Sequence, residues 1–378
     1  MAVRKNPLWI KVATEKSVKS FPKFNIAMGI SMPFLGIDGA GRAMLEAKWP
    51  FEVKNGIDHR HQVFPALVEL HGDSPELKCM DINKFDDLNL APSEGYIGTS
   101  PCQDFSLLFA GAGVFGDRGC LFMRQLLQIK HLAEKKERPL RWMMLETVMG
   151  FLAYREGGCA FHVVQNWWEN EMPGWTPLQV WKVQLRDASS ACSRGRCVLV
   201  SCSKEYINVI GDVPVPPPKH PPVDLETFLM ESSRAQTLRG STENLKTNIR
   251  DWNVAMTMTC KEKKLDCAIG VVDVSRKIKG PFKAYVSVGF CPLLTTKNAH
   301  LYVLKSKKLS SAKVSGHGRY LKMEERAALH GVVYSSLKGQ SDRQALISLG
   351  NMFPVNLAGV CLHQIMVGWE VFEKRALH

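Results

Sequence analysis

The sequence predicts an α/β fold with a second, smaller domain, and three observations predict it. Short apolar runs alternate with longer amphipathic stretches over residues 24–205, a pattern typical of a parallel sheet flanked by helices. Six prolines between Val213 and Val223 exclude a helix or an internal strand, so they predict an extended linker. Beyond that linker, the strand-like pieces are short and are separated by basic turns.

The individual elements follow from apolar runs and from helical periodicity. Apolar runs predict strands at Asn25–Met28, Phe51–Ile57, Gly95–Gly98, Trp142–Leu145 and Cys197–Ser201. Apolar stripes with helical spacing predict helices over Asp117–Lys135 and Phe161–Glu171. After the linker, we expect helical structure in Asp224–Asn248, Lys322–His330 and Leu349–Val367, and strands in Ala268–Val274 and Tyr285–Phe290.

The composition limits the class of protein and of partner. An apolar fraction of 45% and a charged fraction of 22% are those of a globular chain. The formal charge of +13 favours a polyanionic partner, with nucleic acid first and an anionic membrane surface second. No apolar run reaches the roughly 20 residues that span a membrane. Eleven irregularly spaced cysteines favour a reducing compartment, and no usual metal-ligand spacing is present.

A cysteine follows the predicted strand Gly95–Gly98 in the string Pro101-Cys102-Gln103-Asp104-Phe105-Ser106. Open α/β sheets bind their ligands at the carboxyl ends of the strands, so this loop lies where a site is expected. A cysteine there can act as a nucleophile through its thiolate. The alternative is a buried free cysteine, which is what most cysteines are.

Further motifs follow in order along the chain. They are Asp117–Phe122, Leu145–Phe151 with its Glu146-Thr147-Val148, Arg194-x-Arg196 and Gly350–Val355. Together with Pro101-Cys102-Gln103, this ordered set resembles the cytosine-C5 DNA methyltransferase family. The resemblance covers residues 34–202 and 319–360. It implies a Rossmann-like S-adenosylmethionine-dependent methyltransferase sheet with a smaller target-recognition domain.

The resemblance implies a role for each residue of the catalytic motifs. Cys102 attacks C6 of cytosine, which makes C5 nucleophilic toward the methyl group of the cofactor. Glu146 donates a proton or a strong hydrogen bond at N3, and Arg194 or Arg196 holds O2 and nearby phosphate. The base must leave the stack, and Gln103 and Ser106 are expected to contact the DNA. For the two arginines alone, the simpler interpretation is a solvated basic pair.

The resemblance also implies a site for S-adenosylmethionine. The turn after the first strand needs glycine, because close approach of backbone to a ligand excludes a β-carbon. Asp58 is expected to accept the ribose hydroxyls and Asp81 to face the adenine, although a structural turn and a helix cap are simpler interpretations of Gly36 and Asp58. The predicted cofactor-binding residues are Phe34, Gly36, Ile37, Asp38, Gly39, Asp58, Asp81, Ile82, Pro101, Leu121, Asn351 and Met352.

These inferences predict a domain plan and a partner. The predicted parts are a basic extension (1–23), a catalytic domain (24–212), the linker (213–223), a target-recognition domain (224–318) and a returning segment (319–378). Basic residues from Lys261 to Lys283 are candidates for phosphate contact, with a solvated charged face as the alternative. We expect a monomer that binds duplex DNA and no membrane, nuclear if eukaryotic and cytoplasmic if bacterial or from a phage.

Several positions depart from the family pattern. Thr147 replaces an asparagine, Cys192 a glutamine, Ser100 a proline and Asp38 a glycine. Cys102 and Glu146 are both present. Three activities are therefore compatible with the sequence: a DNA cytosine-C5 methyltransferase, a catalytically weak DNA-binding relative, and an RNA cytosine-C5 methyltransferase on the same scaffold.

Overall fold

The computed structural model describes residues 7–16, 21–106, 113–155, 158–230, 236–237, 268–273, 286–292, 301–306, 317–337 and 339–376. The chain forms two compact units. The first comprises Met1–Gln184, Gly195–Lys219 and Met352–His378, and the second comprises Leu185–Arg194 and His220–Asn351. These divisions differ from the boundaries at 212, 223 and 318 drawn from the sequence, which stay predictions.

The first unit is built on a seven-stranded sheet with the order β3-β2-β1-β4-β5-β9-β8. Its strands are β1 (Met28–Pro33), β2 (Phe51–Asp58), β3 (Leu77–Cys79), β4 (Gly95–Gly98), β5 (Trp142–Val148), β8 (Gln179–Gln184) and β9 (Gly195–Cys202), and a separate ribbon pairs β6 (Tyr154–Arg155) with β7 (Gly158–Cys159). The predicted Rossmann-like α/β class is confirmed.

The parallel character of this sheet ends at β9. Strands β1 to β5 pair in parallel, but β9 is antiparallel to both β5 and β8. A parallel pair needs a crossover of a dozen or more residues, and the segment 185–194 between β8 and β9 is shorter than that. The predicted parallel pairing is therefore wrong for β9 and β8, which lie at one side of the sheet.

Within the described residues, the helices in chain order are α1 (Leu8–Lys16), α2 (Gly39–Ala47), α3 (Phe64–His71), α4 (Cys120–Ala133), α5 (Ala160–Glu171), α6 (Lys204–Ile210), α7 (Met323–Leu329), α8 (Asp342–Asn351) and α9 (Val355–Ala376). Of these, α7 and α8 belong to the second unit. The helices predicted within Asp117–Lys135, Phe161–Glu171 and Lys322–His330 are confirmed as α4, α5 and α7. The predicted helix Leu349–Val367 is interrupted before Val355, because Pro354 has no N–H to continue α8.

Two other predicted elements are corrected. The first strand begins at Met28, not at Asn25, because the N–H groups of Asn25 and Ile26 donate to the carboxylate of Glu373 at 2.8 and 2.6 Å. The helical expectation for Asp224–Asn248 fails where the chain is described: Leu225–Phe228 is a 3-10 turn and residues 236–237 pair as a strand. The rest of that segment lies outside the described residues.

An aromatic cluster packs one face of the sheet of the first unit. The rings of Phe105, Phe122 and Phe151 lie with centroids 4.9 to 5.9 Å apart, and each is at most 1% exposed. Phe122 comes from α4, whereas Phe105 and Phe151 come from the turns that follow β4 and β5. The core therefore extends beneath the loops at the carboxyl ends of these two strands.

The stretch Asp342–Ala376 is long and apolar enough to cross a membrane by length and composition. Its most apolar window is 78% buried inside the protein. Within it, Trp369 and Phe372 of α9 stack with centroids 5.3 Å apart, and both are buried. This burial is typical of a core helix.

The second unit contains a five-stranded antiparallel sheet with the order β10-β14-β13-β11-β12. Its strands are β10 (Gln236–Thr237), β11 (Ala268–Asp273), β12 (Val286–Val288), β13 (Leu301–Ser306) and β14 (His317–Tyr320). The buried Glu325 of α7 accepts from Arg319 at 2.5 Å and from the N–H of Met230 at 2.7 Å. The basic residues predicted to contact phosphate, from Lys261 to Lys283, lie outside the described residues.

We predict that His363 makes the folded protein sensitive to mild acid. It is 1% exposed in α9, and burial lowers its pKa from 6.5 to about 4. The folded state keeps this imidazole neutral, so its contribution to stability is complete above pH 6.5 and is lost as the pH falls toward 4. At about 1.4 kcal/mol per pH unit, the loss amounts to roughly 3 kcal/mol.

Urea unfolding of the wild type and of His363→Phe between pH 7 and 4.5 measures this effect. We expect the wild type to lose more stability than the variant over this interval. The exposed His162, replaced in the same way, is the matched control and keeps the wild-type pH dependence. An equal loss in His363→Phe and the wild type would contradict the prediction.

Candidate active site

The carboxyl ends of β1 and β4 mark the point where the strand order of the sheet reverses. From β1 the chain proceeds to β2 and β3 on one side, and β4 then pairs with β1 on the other side. Such a switch point opens a crevice in which α/β sheets bind ligands. The hydroxyl of Thr99 donates to the carbonyl of Phe34 at 2.7 Å. This bond joins the loop after β4 to the turn after β1 at the crevice.

The turn after β1 has an unusual backbone. Phe34, Gly36 and Asp38 have φ angles of 58°, 59° and 46°, in the left-handed region. Non-glycine residues rarely adopt this region, so the turn is strained at Phe34 and Asp38. A β-carbon placed on Gly39 would lie 1.7 Å from the carbonyl oxygen of Phe353, so this position requires glycine. The predicted need for glycine is thus explained at Gly39 by a close approach of the chain to itself.

Asp38 points toward protein groups. Its carboxylate accepts from the N–H of Gly41 at 2.6 Å and so caps α2. The other oxygen lies 2.6 Å from Nε2 of His71, the last residue of α3. The neighbouring Ile37 is buried, and its carbonyl accepts from Arg42 at 2.8 Å. The non-family residue at position 38 therefore has a structural partner of its own.

Asp58, at the end of β2, is buried, and both of its carboxylate oxygens accept hydrogen bonds. Gly36 N–H donates to Oδ2 at 2.8 Å, and Arg60 donates through Nη2 to Oδ2 at 2.8 Å and through Nε to Oδ1 at 3.0 Å. Burial raises the pKa of Asp58, but the Arg60 hydrogen bonds and charge and the Gly36 N–H outweigh it, so the pKa is lowered. The carboxylate is thus an anion held at the crevice.

The other predicted cofactor residues differ in exposure. Asp81 is exposed, and its side chain accepts from the N–H of Asn83 at 2.9 Å, which begins a 3-10 turn. Ile82 and Met352 are buried, whereas Pro101 and Leu121 are half-buried. Asn351 is exposed at the end of α8 in the second unit. Within the first unit, Met352 packs beside Gly39.

Cys102 lies in a half-buried loop held at both ends. Its carbonyl accepts from the N–H of Phe105 at 3.1 Å, which forms the 3-10 turn Gln103–Phe105. Phe105 is anchored in the aromatic cluster, and Asp104 accepts the N–H groups of Arg118 and Gly119, each at 2.9 Å. These contacts fix the thiol-bearing turn next to β4.

The two residues predicted to contact DNA lie on this same turn. Gln103 and Ser106 are half-buried. Oε1 of Gln103 is buried and makes no hydrogen bond to any described residue. The N–H of Ser106 donates to the carbonyl of Gln103 at 3.1 Å. Residues 107–112, which continue the loop, lie outside the described residues.

Glu146 and Arg196 form a buried ion pair on neighbouring strands. Val198 lies opposite Glu146 in the β5–β9 ladder, and Arg196 is two residues before Val198. This diagonal relation places both side chains on one face of the sheet. Nε of Arg196 lies 2.5 Å from Oε1 of Glu146, with each side chain less than 10% exposed. The N–H is not aligned for a hydrogen bond, so the contact is one of charge, and Nη1 donates to the Gly195 carbonyl.

Comparison with known proteins gives the family. The family model for C-5 cytosine-specific DNA methylase matches residues 34–366. The chain belongs to this family. The resemblance inferred from the ordered motifs is therefore confirmed. No curated protein sequence is significantly similar to the chain.

Solved structures share the fold of this family member. Dnmt2 methyltransferase of S. pombe is 16% identical, covers 90% of this chain and 98% of its own, and has a TM-score of 0.53. The Entamoeba histolytica methyltransferase EhMeth is 12% identical, covers 93% of this chain and 99% of its own, and has a TM-score of 0.54. A putative DNA modification methyltransferase encoded within a prophage of E. coli is 15% identical, covers 90% of this chain and 98% of its own, and has a TM-score of 0.52.

The departures from the methylase motifs have defined surroundings. Thr147 is buried opposite Cys197, and its hydroxyl makes no hydrogen bond to any described residue. Burial, with the charge of Glu146, raises the pKa of Cys197 to about 12, so this thiol stays protonated. In the second unit, Cys192 is buried and contacts the carbonyl of Pro292. Arg194, also in the second unit, is 2% exposed and donates to the Gly350 carbonyl at 3.0 Å.

Four residues that hold the candidate site in place were not predicted from the sequence. They are Arg60, His71, Thr99 and Asp104. Arg60 holds Asp58 and His71 holds Asp38, whereas Thr99 binds the turn at Phe34 and Asp104 anchors the loop that carries Cys102. The proximity of Arg60 to Asp58 in the sequence was a usable indication. The other three act across 14 to 65 residues of chain, where no local pattern exists.

We predict that Glu146 and Arg196 stabilise the fold mainly because each neutralises the buried charge of the other. Arg196→Met or Glu146→Gln leaves one buried charge without its partner, which costs about 3 kcal/mol of unfolding free energy. The double variant is expected to cost no more than either single change. The exposed pair Lys130–Glu171 is the control, and its members are expected to act independently.

Urea unfolding of the four proteins in each cycle gives the coupling between partners. Additive effects of Arg196→Met and Glu146→Gln would contradict a compensating pair. Because this measurement needs no substrate, it tests the geometry of the site apart from its activity.

Proposed function

We propose that the protein is a DNA cytosine-5 methyltransferase that uses S-adenosylmethionine and methylates a flipped-out cytosine in duplex DNA through a covalent Cys102 adduct. The observation that carries the proposal is that Cys102 follows β4 while Glu146 lies two residues before the end of the adjacent parallel strand β5, so both are near the carboxyl ends of neighbouring strands. We further propose that it acts as a monomer, in the nucleus if eukaryotic and in the cytoplasm if bacterial or from a phage.

The Cys102 thiolate provides the nucleophile. Its addition to C6 forms a carbon–sulfur bond and moves the electron pair of the C5–C6 double bond into the ring, toward C5 and N3. Glu146 lies near the end of the neighbouring strand, where it can hold a proton or hydrogen bond at N3, and Arg196 forms an ion pair with its carboxylate. Once C5 carries the methyl group, loss of the C5 proton and departure of the Cys102 thiolate from C6 restore the C5–C6 double bond and the aromatic ring.

The turn after β1 fits a cofactor that needs close backbone approach. Gly36 has a φ of 59°, and its N–H already binds the carboxylate of Asp58. Phe34, Gly36 and Asp58 would hold S-adenosylmethionine at the switch point, with Asp81 and Ile82 beyond the end of β3. The cofactor supplies an electrophilic methyl group when it is bound there.

Duplex DNA is the favoured substrate because of the charge and because the reacting atoms of cytosine are buried in the stack. A net charge of +13 provides for phosphate contacts, which position a duplex without specifying its sequence. Flipping exposes C5 and C6 to the catalytic turn. Gln103 and Ser106 lie on that turn and are candidates to contact the DNA.

Methyl transfer from radiolabelled S-adenosylmethionine tests this function. We expect label in duplex DNA, and at least a thousandfold lower rate in Cys102→Ala, because the covalent route is removed. Cys120→Ala is the matched control, since Cys120 is an exposed free cysteine at the start of α4, and it is expected to keep the wild-type rate.

Single-stranded DNA and tRNA are assayed in parallel. Label in tRNA alone would overturn the DNA assignment and place the protein with the RNA-directed enzymes. Label that persists in Cys102→Ala would exclude the covalent mechanism. The absence of label on every substrate would contradict an active enzyme.

A catalytically weak relative is the second candidate, and Thr147 favours it. The family has asparagine at this position, and the threonine hydroxyl is buried without a hydrogen bond among the described residues. We predict that Thr147→Asn raises kcat several-fold by restoring a positioning hydrogen bond, with cofactor affinity unchanged. Thr147→Val, which removes only the hydroxyl, is the control and should leave kcat unchanged. A decrease of kcat in Thr147→Asn would show that threonine suits this site.

A further inference from the structure

The carboxylate of Asp58 has no lone pair left for a ligand. Oδ1 accepts from the backbone N–H of Arg60 at 2.9 Å and from its Nε at 3.0 Å. Oδ2 accepts from the N–H of Gly36 and from Nη2 of Arg60, both at 2.8 Å. A carboxylate has about four acceptor positions, and these four bonds fill them. The ring of His59 also lies near this carboxylate, with Nδ1 3.8 Å from Oδ1 on an exposed side chain.

The guanidinium of Arg60 also covers the glycine of the turn. A β-carbon placed on Gly36 would lie 3.2 Å from Nη2 of Arg60. The arginine therefore occupies the space that glycine leaves open beside the backbone. That is where a ligand bound by this turn and by Asp58 would have to lie.

Of the two partners, only Arg60 has access to solvent. The Asp58 side chain is 2% exposed, whereas the Arg60 side chain is 16% exposed. Asp58 sits at the end of β2, within the sheet, and Arg60 lies in the loop before the 3-10 turn His61–Val63. The guanidinium can leave the carboxylate by rotation of its own side chain, without any change in the strand.

We propose that Arg60 occupies the ribose position of the cofactor site in the free protein and must withdraw before a nucleoside diol can bind Asp58. This inference rests on the proposed function. A diol needs two acceptor positions on one carboxylate, and the bidentate guanidinium of Arg60 fills two such positions on Asp58. Arg60 is thus an internal competitor that lowers cofactor affinity.

The contact between Arg60 and Asp58 is expected to lower cofactor affinity and to raise the stability of the free protein. Breaking two charge-assisted hydrogen bonds opposes binding, so Arg60→Ala is expected to bind the cofactor about tenfold more tightly. The same change leaves the buried Asp58 with fewer donors, so the free protein is expected to unfold at lower urea concentration. Tighter binding together with lower stability is what separates a competitor from a residue that only supports the fold.

The experiment measures Kd for S-adenosylhomocysteine by calorimetry, which needs no turnover. Wild type, Arg60→Ala, Arg60→Gln and Asp58→Asn are compared, with His59→Ala as the matched control on the adjacent exposed side chain. We expect the lowest Kd in Arg60→Ala, an intermediate Kd in Arg60→Gln, a raised Kd in Asp58→Asn and no change in His59→Ala. Arg60→Gln keeps one donor, so it maintains the test where Arg60→Ala does not fold.

Other outcomes overturn the inference. A higher Kd in Arg60→Ala and Arg60→Gln would mean that the guanidinium binds the cofactor directly, and an unchanged Kd would mean that it lies outside the site. In both cases the wild type still binds, so the proposed function stands. Failure of all the folded proteins to bind, together with absence of methyl transfer, would instead contradict the proposed function and this inference with it.

Discussion

The structure depends on hydrogen-bonding and ionic partners for three buried carboxylates, which lie near the carboxyl ends of the strands of one sheet. Asp58, Glu146 and Asp38 are each less than 10% exposed. Asp58 ends β2, Glu146 lies two residues before the end of β5, and Asp38 follows β1 directly before α2. A carboxylate removed from water is costly unless a cation or several donors meet it. Arg60, Arg196 and His71 are those partners. Their positions therefore decide which carboxylate can serve a ligand and which is reserved for the fold.

The two arginine pairs differ in how their partners are held. Arg196 is part of β9, so its pairing with Glu146 is built into the register of two strands and changes only if the ladder changes. Arg60 lies two residues after Asp58 in a loop, so its pairing is a local side-chain choice. A fixed partner suits a carboxylate that must keep one orientation toward a base. A removable partner suits a carboxylate that receives a ligand.

The sequence predicted this site unevenly, and the reason is the distance over which each contact acts. The strand Gly95–Gly98 and helix α4 follow from apolar patterning, which is local, and both were predicted. The strand at Cys197–Ser201 was predicted and lies within β9, but its antiparallel direction was not, because apolar runs carry no direction. Arg194 and Arg196 are nearly adjacent in the sequence, yet Arg196 pairs with Glu146 while Arg194 binds the Gly350 carbonyl in the second unit. The spacing of the two arginines in the sequence does not predict which of them binds Glu146.

The position of Cys102 is set by the core more than by its own loop. Phe105, three residues later, is buried between Phe122 and Phe151, and Asp104 binds two N–H groups that precede α4. Thr99 joins the start of the loop to the turn after β1. None of these anchors is among the positions that depart from the family pattern. Substitution at Thr147 can therefore alter the surroundings of Glu146 while Cys102 keeps its place, so we expect a change at this position to affect the rate of any methyl transfer and not the position of the thiol.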